Sequence, residues 1–137
     1  MEVRKGKISN IDYENGMAQV VYQDKSNAVT SFLPILHHCH EYYMPSVGEN
    51  VVVIHLSNGM ANGFILSGYW NKENKPKKFG ENYYYKKLHN SSIEVENDTL
   101  IIKSPHLILQ EGGKSISVSD IIERLERLEN ADRESGE

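Results

Sequence analysis

The one run of metal-ligand residue types in the sequence is His37-His38-Cys39-His40. Zinc is held by four nitrogen or sulfur ligands at the corners of a tetrahedron. On a strand, neighbouring side chains point to opposite faces, so His38 and His40 would share a face and Cys39 would point away. No Cys-x-x-Cys and no second ligand pair accompanies the run. It therefore reads as a polar loop, and no metal is expected. His55, His89 and His106 stand apart from any acid or nucleophile motif. A catalytic histidine needs an oriented neighbour and a positioned nucleophile. Gly-x-Ser-x-Gly, His-Glu-x-x-His and phosphate-loop patterns are all missing. Glu94 and Glu96 alternate on a short strand and are expected on its solvated face. The expectation is a protein that is not an enzyme, with no catalytic residues and no cofactor.

A second pattern carries binding chemistry. Lys72, Lys75, Lys77, Lys78, Lys86 and Lys87 interleave with Phe79 and Tyr83-Tyr84-Tyr85. A basic groove with stacking aromatics is how OB folds hold single-stranded nucleic acid. The formal net charge is −4, whereas dedicated nucleic-acid binders carry a basic balance. The favoured reading is a solvated linker whose tyrosines pack at a subunit junction, with no nucleic-acid partner. An OB-fold single-strand-binding module is the alternative.

The chain has 137 residues, room for one ordinary domain and an appendage. Charged residues make up 25% and hydrophobic residues 39%, a globular composition. With Cys39 as its one cysteine, the chain can form no internal disulfide. Met1 to Gly6 shows no apolar core of a signal peptide, so none is expected. No run of about 18 apolar residues suggests a membrane-spanning helix.

The elements that position these residues read as follows. Residues 3–9 and 17–22 alternate as a hairpin around the turn signal Asp12 to Gly16. Residues 28–36, 51–56 and 63–70 supply three more strands. Val51 to Leu56 is apolar, rich in β-branched residues and bounded by Gly48 and Asn58-Gly59, as a buried strand should be. Pro34 and Pro45 cannot donate to a central ladder and belong at strand starts, edges or bulges. Five short strands with no helix among them predict an OB-type barrel over residues 1–75. Its irregular piece is 37–47, and Pro34, Pro45, Gly48 and Gly68 set its geometry.

Residues 76–90 read as a polar linker. Over 91–118, short apolar strands recur every 7–9 residues, beginning at Ser92, Thr99, His106 and Ser115. Strands this short cannot build a core alone. Stacked strand-and-turn units suggest a β-prism or β-helix in which several copies intertwine. Over 119–137 the period changes to that of a helix, with Ser119-Asp120 as cap and 130–137 as a frayed tail. Val118, Ile121, Leu125 and Leu128 are spaced 3, 4 and 3, the stripe of a helix interface. The fold class is thus all-β: an N-terminal OB-fold barrel, then a short β-prism, then a short C-terminal α-helix.

Three blocks in this order resemble a known family. They are Phe32-Leu33-Pro34-Ile35-Leu36, then Tyr43-Met44-Pro45 with Val47-Gly48-Glu49 and Val51, then Gly63-Phe64-Ile65-Leu66 with Gly68-Tyr69-Trp70-Asn71. Together they resemble the N-terminal domain of phage baseplate assembly protein V, the central spike of contractile tails, shared with type VI secretion spikes. Phe32 and Tyr43 stand where that family usually has Trp, and Ser67 where a small residue, often Gly, is usual. The resemblance covers roughly residues 3–75. It implies a homotrimer whose barrel plugs the tail tube and joins baseplate hub proteins. The prism, trimeric in this family, would lead the particle to the target cell envelope. It also implies synthesis in the bacterial cytoplasm and a place in the virion tail baseplate or an equivalent particle. The family's long spikes sometimes end in metal-binding histidines. No His follows His106 here, so that tip is not carried over, which leaves the distal end to a separate tip protein.

Overall fold

The computed structural model describes residues 1–56 and 61–136. The turn expected at Asn58-Gly59 lies outside them. Among the described residues the chain is mostly β-sheet, in open sheets, with one α-helix at its C-terminal end. It divides into two compact units, Met1–Pro76 and Lys77–Glu137.

The first unit grows from a hairpin of β1 (Glu2–Asp12) and β2 (Met17–Tyr22). Asp12 ties the turn. The Asn15 backbone N–H donates to Oδ1 at 3.2 Å and Asn15 Nδ2 donates to Oδ2 at 2.9 Å. The side-chain bond from Asn15, then the backbone bond, holds the Asp12 carboxyl below its ordinary pKa. Gly16 closes the turn with φ 65°, a conformation in which a Cβ is strained. β1 runs past its expected end at Ser9 because a bulge there keeps the pairing going. Ser9 Oγ donates to the Gln19 carbonyl across it at 3.2 Å.

β1 also pairs with β5 (Asn50–His55), and β5 with β6 (Gly63–Ile65). On the other side β2 pairs with β3 (Ala28–Val29) and β4 (Leu33–Pro34). These six strands form one sheet, ordered β3-β2-β1-β5-β6 with β4 on β2. A parallel bridge from Ile35 to Ile65 links the β4 side to β6.

Two expected strands are corrected. The strand over 28–36 is two short ones, because Thr30 interrupts it. Its N–H donates to the Val20 carbonyl at 2.9 Å, while its Oγ1 accepts from the Val20 N–H at 3.0 Å. A hydroxyl stands where a ladder carbonyl would, so regular pairing ends. The strand over 63–70 stops at Ile65. Beyond it, Leu66 N–H donates to the Val52 carbonyl and Val52 N–H to the Ser67 carbonyl, which leaves the regular ladder.

Alternation places the core. β2 turns Ala18, Val20 and Tyr22 inward, and β5 turns Val51, Val53 and His55 inward. With Ile8, Leu33 and Ile65 they are at most 1% exposed. Each fully buried aliphatic side chain contributes about 1.5–3 kcal/mol, so this cluster holds the unit together. Gly6 lies against it, where a Cβ would collide with Val20 Cγ1 and the Tyr22 ring.

In the second unit, β7 (Tyr83–Leu88), β8 (Ser91–Glu96) and β9 (Thr99–Lys103) form an antiparallel meander. β10 (Ile108–Glu111) and β11 (Lys114–Ser117) form a separate hairpin. The stretch 76–90, expected as a linker, therefore holds a strand. Tyr83-Tyr84-Tyr85 favours a pleated, half-buried surface, and that outweighs the flanking lysines once β8 offers a partner. The hairpins turn at His89, Asn97 and Gly112, with φ 55°, 53° and 58°, which suits the strand twist.

α1 (Val118–Ser135) follows without a break. Its cap is Ser117, not Ser119: Ser117 Oγ accepts from the Asp120 N–H at 3.1 Å. The helix also runs through most of the expected tail. No glycine or proline interrupts it before Gly136, and Glu123 pairs with Arg127 one turn on at 3.7 Å.

Candidate interaction surfaces

The histidine run forms a turn and not a strand. Cys39 and His40 both take left-handed backbone angles, φ 49° and 62°. The residues that meet are consequently His37 and His40, not His38 and His40. Their rings stack with centroids 5.1 Å apart, and His37 Nδ1 accepts from the His40 N–H at 3.0 Å. Cys39 is exposed. Among the described residues, no three His, Cys, Asp or Glu side chains gather as a metal would need.

Sequence reasoning missed a buried polar cluster at one end of the first core. His55, 1% exposed, hydrogen-bonds through Nε2 to the hydroxyl of Tyr22, which is fully buried. His55 Nδ1 faces the Asn62 carbonyl at 3.4 Å. A carbonyl only accepts, so Nδ1 carries the proton and Nε2 accepts from Tyr22. The Arg4 guanidinium lies 4.9 Å from the centroid of the Tyr22 ring and bonds outward to Glu2 at 3.1 Å and Asp24 at 2.9 Å. Burial pushes the Tyr22 phenol up to about 12, with the Arg4 charge opposing. Tyr22 and His55 are 33 residues apart, and no local motif joins them. Tyr22 falls on the apolar side of an alternating strand, which was a signal, but the unbroken run Val51 to Ile54 does not mark which of its sides is inward, so His55 gave none.

The lysine and tyrosine stretch is partly committed within the chain. Lys78 Nζ reaches Glu96 Oε2 at 2.6 Å and Glu94 Oε1 at 3.3 Å. The Tyr83 hydroxyl donates to Glu94 Oε2 at 3.2 Å, and the Tyr83 and Tyr85 rings stack. Glu94 is only 6% exposed, which corrects its expected place on a solvated face. The bond to Glu96 is the largest of the effects that raise the Lys78 pKa. A lysine and a tyrosine held by two carboxylates are poorly placed to grip a phosphate backbone.

The register separates the two faces of the three-stranded sheet. Tyr83, Tyr85, Glu94, Glu96 and Thr99 share the face just described. Tyr84, Ile93, Val95, Leu100 and Ile102 share the other. That second face also carries Lys86 but is otherwise apolar in its middle, and it is open at β9: Ile93 and Val95 are half-buried, while Leu100 is 62% exposed and Ile102 54%. The helix stripe is also open. Val118 and Ile121 are half-buried, while Leu125 and Leu128 are exposed, and no residue of α1 is buried.

Three of the four expected architectural residues converge. Pro45 leads into the turn Ser46 to Glu49, in which Ser46 N–H donates to Glu49 Oε2 at 2.9 Å. Gly48, with φ 87°, donates its N–H to the Ile8 carbonyl at 2.7 Å and docks the turn on β1. A Cβ on Gly68 would press on Glu49 Oε1 at 3.0 Å. Pro34 lies apart, on β4 opposite Met17. A shallow hollow of about 500 Å³ opens beside β1. Arg4 there is neutralised by Glu2 and Asp24, and Lys5 sits over the Tyr69 ring.

No protein-family model matches the chain, and no curated protein matches it. Among the described residues, no helix is long and apolar enough to cross a membrane.

Proposed function

We propose that the chain is the hub-and-spike subunit of a contractile phage-tail baseplate or a related injection particle, acting as a homotrimer. The first unit is read as an OB-type barrel that plugs the tail tube and joins hub proteins. The Ile35–Ile65 bridge supports this reading, because it brings together the first and third blocks of the family resemblance. The second unit is read as one chain's share of a β-prism leading towards the target envelope. The role is structural, with no catalytic step and no nucleic-acid partner.

The observation that carries the proposal is the uncovered face of Tyr84, Ile93, Val95, Leu100 and Ile102. An apolar face on a three-stranded sheet with open edges needs a partner. The experiment is the mass in solution, followed by assembly of particles from the full set of tail proteins. Three times the 15.6 kDa chain is expected, together with incorporation at the baseplate. A monomer at micromolar concentration refutes the proposal.

A further inference from the structure

We infer that α1 binds its own copies side by side, parallel and in register, through the Val118–Leu128 stripe, and that Arg124 of each copy pairs with Glu129 of the next. The inference rests on the several-copy reading above and names the partner of the helix.

The first observation is the stripe. With Val118 at position a of a heptad, Ile121 falls at d, Leu125 at a and Leu128 at d. Ile122, at e, is 51% exposed and widens the stripe. The a residues Val118 and Leu125 and the d residues Ile121 and Leu128 mix the two-strand and the higher-order preferences, so the apolar e position is what argues for a seam broader than two helices.

The second observation is the charge pattern, which carries the orientation. Glu123 and Arg127 fall at f and c, on the outer side, and pair within the helix at 3.7 Å. Arg124 falls at g and Glu129 at e. Among the described residues, no ion pair within the chain engages either of them. In parallel, in-register helices a g residue faces the e residue five positions on in its neighbour. From Arg124 that residue is Glu129, so each seam sets plus against minus. Antiparallel helices set g against g and e against e, so the register that matches the stripe places Arg124 against Arg124 and gives Glu129 no arginine opposite. The outer Glu123 and Arg127 are satisfied within the chain, whereas the seam-edge Arg124 and Glu129 are complementary to a parallel, in-register copy.

The test uses the full chain in a Cys39→Ser background. Asp132 falls at the next a position, so Asp132→Cys should give disulfide-linked chains on mild oxidation. Antiparallel helices would hold the two thiols too far apart. Arg124→Glu should weaken association about tenfold through three lost surface pairs. Adding Glu129→Arg should restore it, and high salt should flatten the difference. A trimer insensitive to both changes, without cross-linking at position 132, overturns the helix pairing and leaves the spike proposal standing. A cross-linked, charge-sensitive assembly of two or four copies keeps the pairing and overturns the three-fold spike. A monomer overturns both.

Discussion

Ile102→Asp should dissociate the assembly while leaving the single chain folded. Ile102 sits on β9 opposite Ile93, on the face away from Glu94. It is 54% exposed in the single chain, so about half of its apolar surface remains to be covered by a partner. Full burial of an isoleucine is worth about 1.5–3 kcal/mol, which leaves about 1 kcal/mol per copy. Three copies contribute about 3 kcal/mol, or about a hundredfold in the association constant. Ile102→Ala should show a loss of that size. Ile102→Asp should show more, because it also places three carboxylates in an apolar seam. Sedimentation velocity over a hundredfold range of concentration reads the effect directly. Thr99→Asp, on the opposite face of the same strand, is the control and should leave the mass unchanged. Circular dichroism checks that the sheet survives. If Ile102→Asp kept the same mass at every concentration, this face would not be an interface, and the argument from uncovered apolar surface would fail.

Three further outcomes follow from the geometry. Leu125→Asp should lower the helix content and the trimer's melting temperature while leaving the first unit's transition in place, as calorimetry would resolve. Tyr22→Phe should cost about 1–3 kcal/mol in chemical denaturation, since it leaves Nε2 of the buried His55 without its donor. Because folding raises the Tyr22 phenol from its ordinary 10 to about 12, its contribution is complete below pH 10. It fades as the pH rises towards 12, by up to roughly 2–3 kcal/mol, and Tyr22→Phe should flatten that alkaline loss. Gly63→Ala should destabilise the first unit by roughly 2–4 kcal/mol, because the new Cβ would strike the Ile54 carbonyl; an unchanged denaturation midpoint would show that β6 can shift to make room.

The sequence by itself determined the elements whose signal is local. The alternation of Met17 to Tyr22 reads the same in one dimension as in three, because a strand's two faces follow from a two-residue period. Val51 to Leu56 reads as a buried strand from its unbroken apolar run, but its inward side, Val51, Val53 and His55, came only with the structure. The Asp12 to Gly16 turn is likewise a short-range matter of one carboxylate, one amide and one glycine. The helix at the C-terminal end follows from its 3-4-3 spacing, although its cap and its length moved. Only the tertiary structure decided what depends on distant partners. Thr30 ends its strand because Val20 lies across the sheet from it. Tyr83 to Leu88 becomes a strand because β8 presents an edge to it. Glu94 is buried because Lys78 and Tyr83 close over it, and Tyr22 finds His55 only when β2 and β5 flank β1. Periodicity reports which face a residue takes, but it carries no information about which other element will cover that face, and that choice is the sum of many weak contacts spread along the chain.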